Sequence, residues 1–163
     1  MHIYLRHGDD TNKKSKYKHD KSLNVSKKTE YDIVKTTKKL IKLYGYPDRI
    51  YCSPFKRCRE TLDIILKVVK NAKVVIDSDL SRFFVKKEYI HPSVRHTTMY
   101  YDPPIKESHK EFKKRVERNE RRVIKHDHDV TWCITHYLVM KCLCKKYQIL
   151  LPDHMPFLYH FVL

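Results

Sequence analysis

Arg6, His7 and Gly8 are the residues of this chain whose types most directly suggest chemistry. The guanidinium of an arginine is a permanent cation, and its planar fork of N–H donors matches the oxygens of a phosphoryl group. An imidazole beside it can attack phosphorus or move a proton near neutral pH. Glycine then lets the backbone turn freely. The three residues suggest phosphoryl transfer, but Arg-His-Gly alone is a common sequence, so the rest of the chain must support it.

Two later segments carry residue types that would complete such a site. The first has the pattern Ser-Pro-x-x-Arg and runs from Ser53 to Arg57, and the second ends at His136. A second arginine adds fixed positive donors for phosphoryl oxygens, and a second imidazole adds another donor. Together the three segments predict a shared anion pocket.

Each of these segments follows a short apolar run that is typical of a buried strand. Such runs predict strands at residues 1–6, 49–52, 74–76, 130–135 and 157–162. Apolar residues at helical spacing predict helices at residues 26–44, 55–69, 106–127 and 137–147. Alternating strands and helices favour a mostly parallel sheet covered on both faces, and such sheets bind ligands beyond the carboxyl ends of their strands. His7, Ser53 and His136 would all emerge at that edge.

In order and spacing, the three segments resemble the histidine phosphatase superfamily, the group that includes the cofactor-dependent phosphoglycerate mutases. The resemblance covers most of the chain. It implies an α/β fold of the phosphoglycerate mutase type, a three-layer sandwich with helices on both faces of a mostly parallel sheet. A length of 163 residues is that of one domain, so we expect residues 1–163 to form a single histidine phosphatase-like domain.

The resemblance also implies roles for individual residues. His7 would be the nucleophile, forming a phosphohistidine intermediate that water hydrolyses, and His136 would be the second catalytic histidine. Arg6 and Arg57 would bind the phosphoryl group of the substrate. Asn12 lies one residue before the position of the family's loop asparagine and is carried over as a further substrate-binding residue. Neither a metal ion nor a cofactor is implied.

The chain departs from the family at the general acid. Many members carry a glutamate in a Glu-Arg-x-Tyr-Gly-like segment after the third strand, where this chain has Ser81. Another branch has an aspartate directly after the second histidine, where Tyr137 stands here. Asp79, Glu88 and Asp102 are alternative acids, or the site has none. A proton donor is worth about 10²–10⁴ in rate, so its loss favours substrates with good leaving groups, such as imidazole, aryl oxide or phosphate.

These features predict a compact, metal-independent histidine phosphatase, similar to the phosphohistidine phosphatases, that acts on a phosphoprotein or a small, strongly anionic phosphate compound. The alternative is a degenerate member that binds phosphate groups or phosphoproteins with little or no turnover. The formal net charge of +16 points to polyanionic partners and leaves nucleic acid open as a further partner of the basic surface. The lysine-rich composition could equally reflect an AT-rich genome.

Composition narrows the class of protein further. Apolar residues make up 41% of the chain and charged residues 33%, and no apolar run approaches the roughly 18 residues of a membrane span. We therefore expect a cytoplasmic protein that does not enter a membrane. Its five cysteines should be reduced, because Cys52 and Cys133 lie in apolar runs and Cys142-x-Cys144 lacks the second pair of a zinc site.

Overall fold

The computed structural model describes residues 1–11, 23, 26–84 and 106–163. The strands in these ranges are His2–Arg6 (β1), Arg49–Cys52 (β2), Lys73–Ile76 (β3), Thr131–Thr135 (β4) and His160–Val162 (β5). The helices are Lys27–Tyr44 (α1), Lys56–Ile65 (α2), His109–Ile124 (α3) and Tyr137–Lys146 (α4).

The described strands form one mixed sheet in the order β3-β2-β4-β1-β5. The first four are parallel, and β5 pairs antiparallel with β1 at the edge. This arrangement confirms the predicted, mostly parallel sheet. It also brings the carboxyl ends of β2, β4 and β1 side by side in the middle of the molecule.

Helices cover both faces of the sheet, which confirms the three-layer sandwich. Strand alternation sends Ile3 and Leu5 to one face, where they pack with Ile33 of α1 and Ile65 of α2. Tyr4 points to the opposite face and joins a second apolar cluster. That cluster includes residues of α3 and α4: Phe112, Val116, Val123, Val139, Met140 and Leu143.

Local capping explains where two of the helices begin and end. Ser26 accepts a hydrogen bond from the backbone N–H of Thr29 and starts α1, and Gly45, with a φ of +86°, ends it as expected. The predicted helix at 106–127 is too long. It starts later because Ser108 and Glu111 form a reciprocal capping box, and it ends at Ile124.

Two further predicted boundaries are wrong for local reasons. The helix predicted at 55–69 ends at Ile65, after which the chain continues as a turn closed by bonds such as that from Lys67 N–H to the carbonyl of Ile64. The strand predicted at 157–162 begins only at His160, because Leu158 has a φ of +59° and breaks the extended conformation.

The described residues also bear on the cysteines, on metals and on membranes. All five cysteines are free thiols, and Cys52 and Cys133 are buried as expected. In residues 1–11, 23, 26–84 and 106–163, no three His, Cys, Asp or Glu side chains are grouped so that they could hold a metal ion. Over the same ranges, no helix combines the length and the apolar character needed to cross a membrane.

Candidate active site

The parallel register places the residues that follow β1, β2 and β4 next to one another. Arg6 lies opposite Thr135 in the ladder, and Cys52 lies opposite Ile134. Backbone bonds extend this pairing by one residue, from His7 N–H to the carbonyl of Thr135 at 3.1 Å and from Ser53 N–H to that of Ile134 at 3.0 Å. His7, Ser53 and His136 therefore meet at one edge, as predicted.

Gly8 holds the backbone after His7 in a crowded position. A Cβ atom at Gly8 would lie 2.9 Å from the Cδ1 atom of Ile33 in α1, so the Ile33 side chain would have to shift to make room for it. The Gly8 N–H donates to Thr61 Oγ1 at 3.0 Å, and its carbonyl lies 2.8 Å from His7 Nδ1. Gly8 therefore brings β1 against α1 and also fixes the orientation of the His7 ring.

A single guanidinium joins the two histidines. Arg57 lies in the first turn of α2 and is buried. Its Nε–H donates to His7 Nε2 at 3.1 Å, and its Nη2 lies 3.0 Å from His136 Nδ1. Since an arginine can only donate, both facing ring nitrogens must accept. This contact brings three of the predicted site residues into one cluster.

These hydrogen bonds define the tautomer of each ring. With its Nε2 accepting from Arg57, neutral His7 carries its proton on Nδ1 and donates it to the carbonyl of Gly8. His136 accepts at Nδ1 and so donates from Nε2 to Ser53 Oγ at 2.8 Å. Although His136 is the residue before α4, its side chain makes no capping bond. His7 thus presents a lone pair on Nε2 toward the arginine.

The surroundings favour the neutral form of both rings. Burial, followed by the nearby charge of Arg57, holds the pKa of His7 well below its usual value. Burial and Arg57 likewise lower the pKa of His136, and Arg82 and Arg115 add smaller contributions. A neutral imidazole keeps its lone pair, so these shifts preserve a nucleophile near neutral pH.

Arg6 is positioned by the C-terminal part of the chain. Its guanidinium donates to the carbonyl of Met155 and stacks on the ring of Phe157, 4.4 Å from the ring centroid. Phe157 also lies against His7, with 5.9 Å between ring centroids. The segment before β5 therefore fixes a second cation beside the proposed nucleophile.

These side chains open onto a cavity of about 280 Å³, which we call the catalytic cavity after the function that we propose for it below. Arg6, His7, Arg57 and His136 all line it, as the sequence predicted. Sequence reasoning missed its other lining residues: Asp10, Arg82, Phe83, Tyr137 and Leu138. A signal for Arg82 was present, because it occupies the arginine position of the Glu-Arg-x-Tyr-Gly-like segment.

The remaining candidate residues fall elsewhere. Asp79 is buried and ion-paired with Arg118 and Arg122 of α3, so it serves the packing of that helix rather than the cavity. Ser81 is buried, and its Oγ has no hydrogen-bond partner in the part of the chain that the structure describes. Three further candidates lie outside the described residues: Asn12, Glu88 and Asp102.

The fold and the site define an α/β protein with a cavity lined by arginine and histidine side chains at the carboxyl edge of its sheet. The sequence matches the histidine phosphatase superfamily (branch 1) over residues 3–160, so the chain belongs to that family. This confirms the family resemblance and places the chain in the predicted enzyme class, the phosphatases. Among curated protein sequences, none matches the chain.

Solved structures of phosphatases share the fold at low sequence identity. Bacillus stearothermophilus YhfR superposes with a TM-score of 0.68 at 18% identity, covering 95% of this chain and 86% of its own. The ecdysone phosphate phosphatase of Bombix mori, in complex with tungstate, gives 0.66 at 15% identity, with coverage of 98% and 86%. The protein histidine phosphatase SixA, also with tungstate, gives 0.56 at 15% identity, with coverage of 88% and 74%. At such identities the likeness shows the fold alone.

Proposed function

We propose that this protein is a metal-independent phosphatase that works through a phosphohistidine on His7. The observation that carries the proposal is the contact of one buried guanidinium, that of Arg57, with His7 Nε2 and His136 Nδ1. A phosphoryl group that binds Arg57 is thereby brought to the lone pair of His7. The same arginine supplies fixed positive charge where negative charge develops in the transition state.

The proposed reaction has two displacements. In the first, His7 Nε2 attacks phosphorus and the bond to the leaving group breaks. In the second, water attacks the phosphohistidine and returns the electron pair to Nε2. Arg6 and Arg57 would hold the phosphoryl oxygens in both steps, because their side chains line the same cavity. His136, which also lines it, would join them once its Nδ1 has taken up a proton beside the bound dianion. Asn12 remains a proposed substrate-binding residue.

The charge of the protein supports anionic substrates. We propose a phosphoprotein or a small, strongly anionic phosphate compound, because the net charge of +16 attracts polyanions over long distances. Turnover should then fall as salt is added, since ions screen charges over about 10 Å at 0.1 M. A nucleic acid bound through the same surface would show steep salt dependence that is insensitive to changes at His7.

The test is phosphate release from an aryl phosphate, with EDTA present, by the wild type and by His7→Ala. We expect wild-type turnover and a loss of roughly 10⁴-fold or more in the variant. Alkaline quenching of the wild type during turnover should trap phosphate on His7. Wild-type rates in His7→Ala would disprove the proposed nucleophile, and loss of wild-type activity in EDTA would disprove metal independence.

A second candidate function is a degenerate module that binds phosphate groups without useful turnover. The observation in its favour is Ser81, a buried hydroxyl at the position of the family's glutamate. Such a module would bind tungstate as an active phosphatase would. It would release no phosphate, and alkaline quenching would trap no phosphoenzyme. The same assays therefore separate the two candidates.

A further inference from the structure

The catalytic cavity contains a carboxylate that the family resemblance does not assign. Asp10 follows the Arg-His-Gly sequence by two residues and lines the cavity beside His7 and Arg57. Its Oδ2 lies 3.5 Å from Arg57 Nε, and its side chain is 23% exposed. Asp10 therefore faces the space where a phosphoryl group would bind, and it remains open to substrate and to water.

Three other acids of the described residues form hydrogen bonds or ion pairs outside the lining of this cavity. Asp79 is ion-paired with arginines of α3, and Asp9 accepts a hydrogen bond from the N–H of Thr11. Glu60 accepts a hydrogen bond from the N–H of Leu23 and forms an ion pair with Lys56. Asp10 is the one carboxylate among the described residues that line the catalytic cavity.

We propose that Asp10 is the proton donor and acceptor of the reaction, an inference that rests on the proposed function. As His7 Nε2 forms its bond to phosphorus, the bond to the leaving oxygen breaks and that oxygen takes the proton of the Asp10 carboxyl. Water then attacks the phosphohistidine, Asp10 takes back a proton from that water, and the electron pair of the P–N bond returns to His7. One ester and one water give one alcohol and one phosphate.

The position of Asp10 suits a proton transfer to a bound phosphate ester. Its carboxylate lies 3.5 Å from Arg57 Nε, the group to which the phosphoryl oxygens would bind, so the leaving oxygen of the ester would lie within the same cavity as the Asp10 carboxyl. The charged and titratable groups that share the cavity with Asp10 are Arg6, His7, Arg57, Arg82, His136 and Tyr137.

The experiment compares leaving groups. Values of kcat/KM are measured for the wild type, Asp10→Asn, Asp9→Asn and Tyr137→Phe, with phosphate esters that range from dinitrophenyl phosphate to an alkyl phosphate. A good leaving group needs no proton, whereas an alkoxide does. We expect kcat/KM of Asp10→Asn to fall by a factor of about 10²–10⁴ with the alkyl ester and by less than about tenfold with the dinitrophenyl ester. Asp9→Asn, one residue away and outside the cavity lining, should behave like the wild type.

The other outcomes are distinct. If Asp10→Asn changes kcat/KM by the same factor with every ester, Asp10 only pairs with Arg57, and this result overturns the inference. A loss selective for poor leaving groups in Tyr137→Phe, and not in Asp10→Asn, makes the phenol the donor and also overturns it. No turnover by the wild type with any ester disproves the proposed function itself. Tungstate binding by Asp10→Asn verifies that the variant is folded.

Discussion

Two groups of charged residues at the carboxyl edge of the sheet differ in how their charges are balanced. In the first, which we call the α3 cluster, three arginines of α3 meet three carboxylates in ion pairs. Its members are Asp77, Asp79, Glu107, Arg115, Arg118 and Arg122. In the catalytic cavity, the described lining residues include three arginines, two neutral histidines and one carboxylate, Asp10. The α3 cluster is neutral by itself, whereas the described lining of the cavity carries an excess of positive charge.

The difference separates a structural role from a binding role. Arg115 donates to Glu107 and to the backbone carbonyls of Asp79 and Ser81, so acceptors within and beside the α3 cluster satisfy this guanidinium. Arg57 instead directs its donors to two uncharged imidazoles and meets the Asp10 carboxylate at 3.5 Å. A cleft lined mainly by positive groups attracts anions. The first group should therefore control stability, and the second should control activity.

We expect the largest effect from a substitution that breaks the α3 cluster. Asp79→Asn leaves Arg118 and Arg122 without one of their carboxylates, and breaking a buried ion pair costs about 3–5 kcal/mol. The measurement is the free energy of unfolding in urea. Glu117→Gln removes the partly exposed partner of Lys113 on the same helix and should change the free energy of unfolding by less than about 1 kcal/mol. Equal effects of the two variants would contradict a stabilising role of the α3 cluster.

The second prediction concerns the cavity. Arg57→Ala should lower kcat/KM by about 10²–10³, because it removes donors preorganised for the transition state. Arg57→Lys should recover only part of this loss, since an ammonium cannot contact both rings as the planar fork does. Arg59→Ala, two residues along the same helix and outside the cavity lining, is the matched control. A larger effect of Arg59→Ala than of Arg57→Ala would disprove the assignment.

The sheet, the helices and the core of the site follow from the sequence because local signals specify them. Apolar runs define the strands, helical spacing defines the helices, and Ser26 and Gly45 mark the ends of α1. Parallel strands then force His7, Ser53 and His136 to one edge. For these residues, the position along the chain is enough to predict the position in space.

The α3 cluster and the complete cavity lining do not follow from such signals. The apolar spacing of α3 predicts only Phe112, Val116 and Val123 to face inward. Arg115, Asn119 and Glu120 are buried on this helix as well. Their partners include residues of distant segments, such as Asp77 for Asn119 and Lys146 for Glu120. Charged residues at helical positions look exposed until the tertiary contacts that compensate their burial are known.

The third prediction is a pH dependence of stability. His7 and His136 have lowered pKa values when folded, and the ordinary value of about 6.5 applies to the unfolded chain. Below pH 6.5 the unfolded chain therefore binds protons that the native protein does not. As the pH is lowered below 6.5, the free energy of unfolding should fall by up to about 1.4 kcal/mol per pH unit for each histidine, until the pH reaches the pKa of the folded state.

Urea unfolding at pH 7.5, 6.5 and 5.5 measures this dependence. His7→Gln removes one of the two imidazoles of the cavity, so the stability of this variant should fall less steeply with acid than that of the wild type. The control variant is His128→Gln, which removes an exposed imidazole in the turn after α3, outside the cavity. If His7→Gln and the wild type have the same slope, folding does not lower the pKa of His7.

The smallest expected effect is that of a substitution at Ser81, which lies between the two charged groups. The carbonyl of Ser81 accepts from Arg115 of the α3 cluster, while its buried hydroxyl lacks a hydrogen-bond partner among the residues that the structure describes. An unsatisfied buried hydroxyl is costly, so Ser81→Ala should raise the free energy of unfolding by about 1 kcal/mol and leave kcat/KM unchanged. Thermal unfolding measures the change in stability, and ester hydrolysis measures kcat/KM. A loss of activity above tenfold with alkyl esters, without a loss of stability, would instead place the proton donor at Ser81 and remove the division between a stabilising cluster and a reactive cavity.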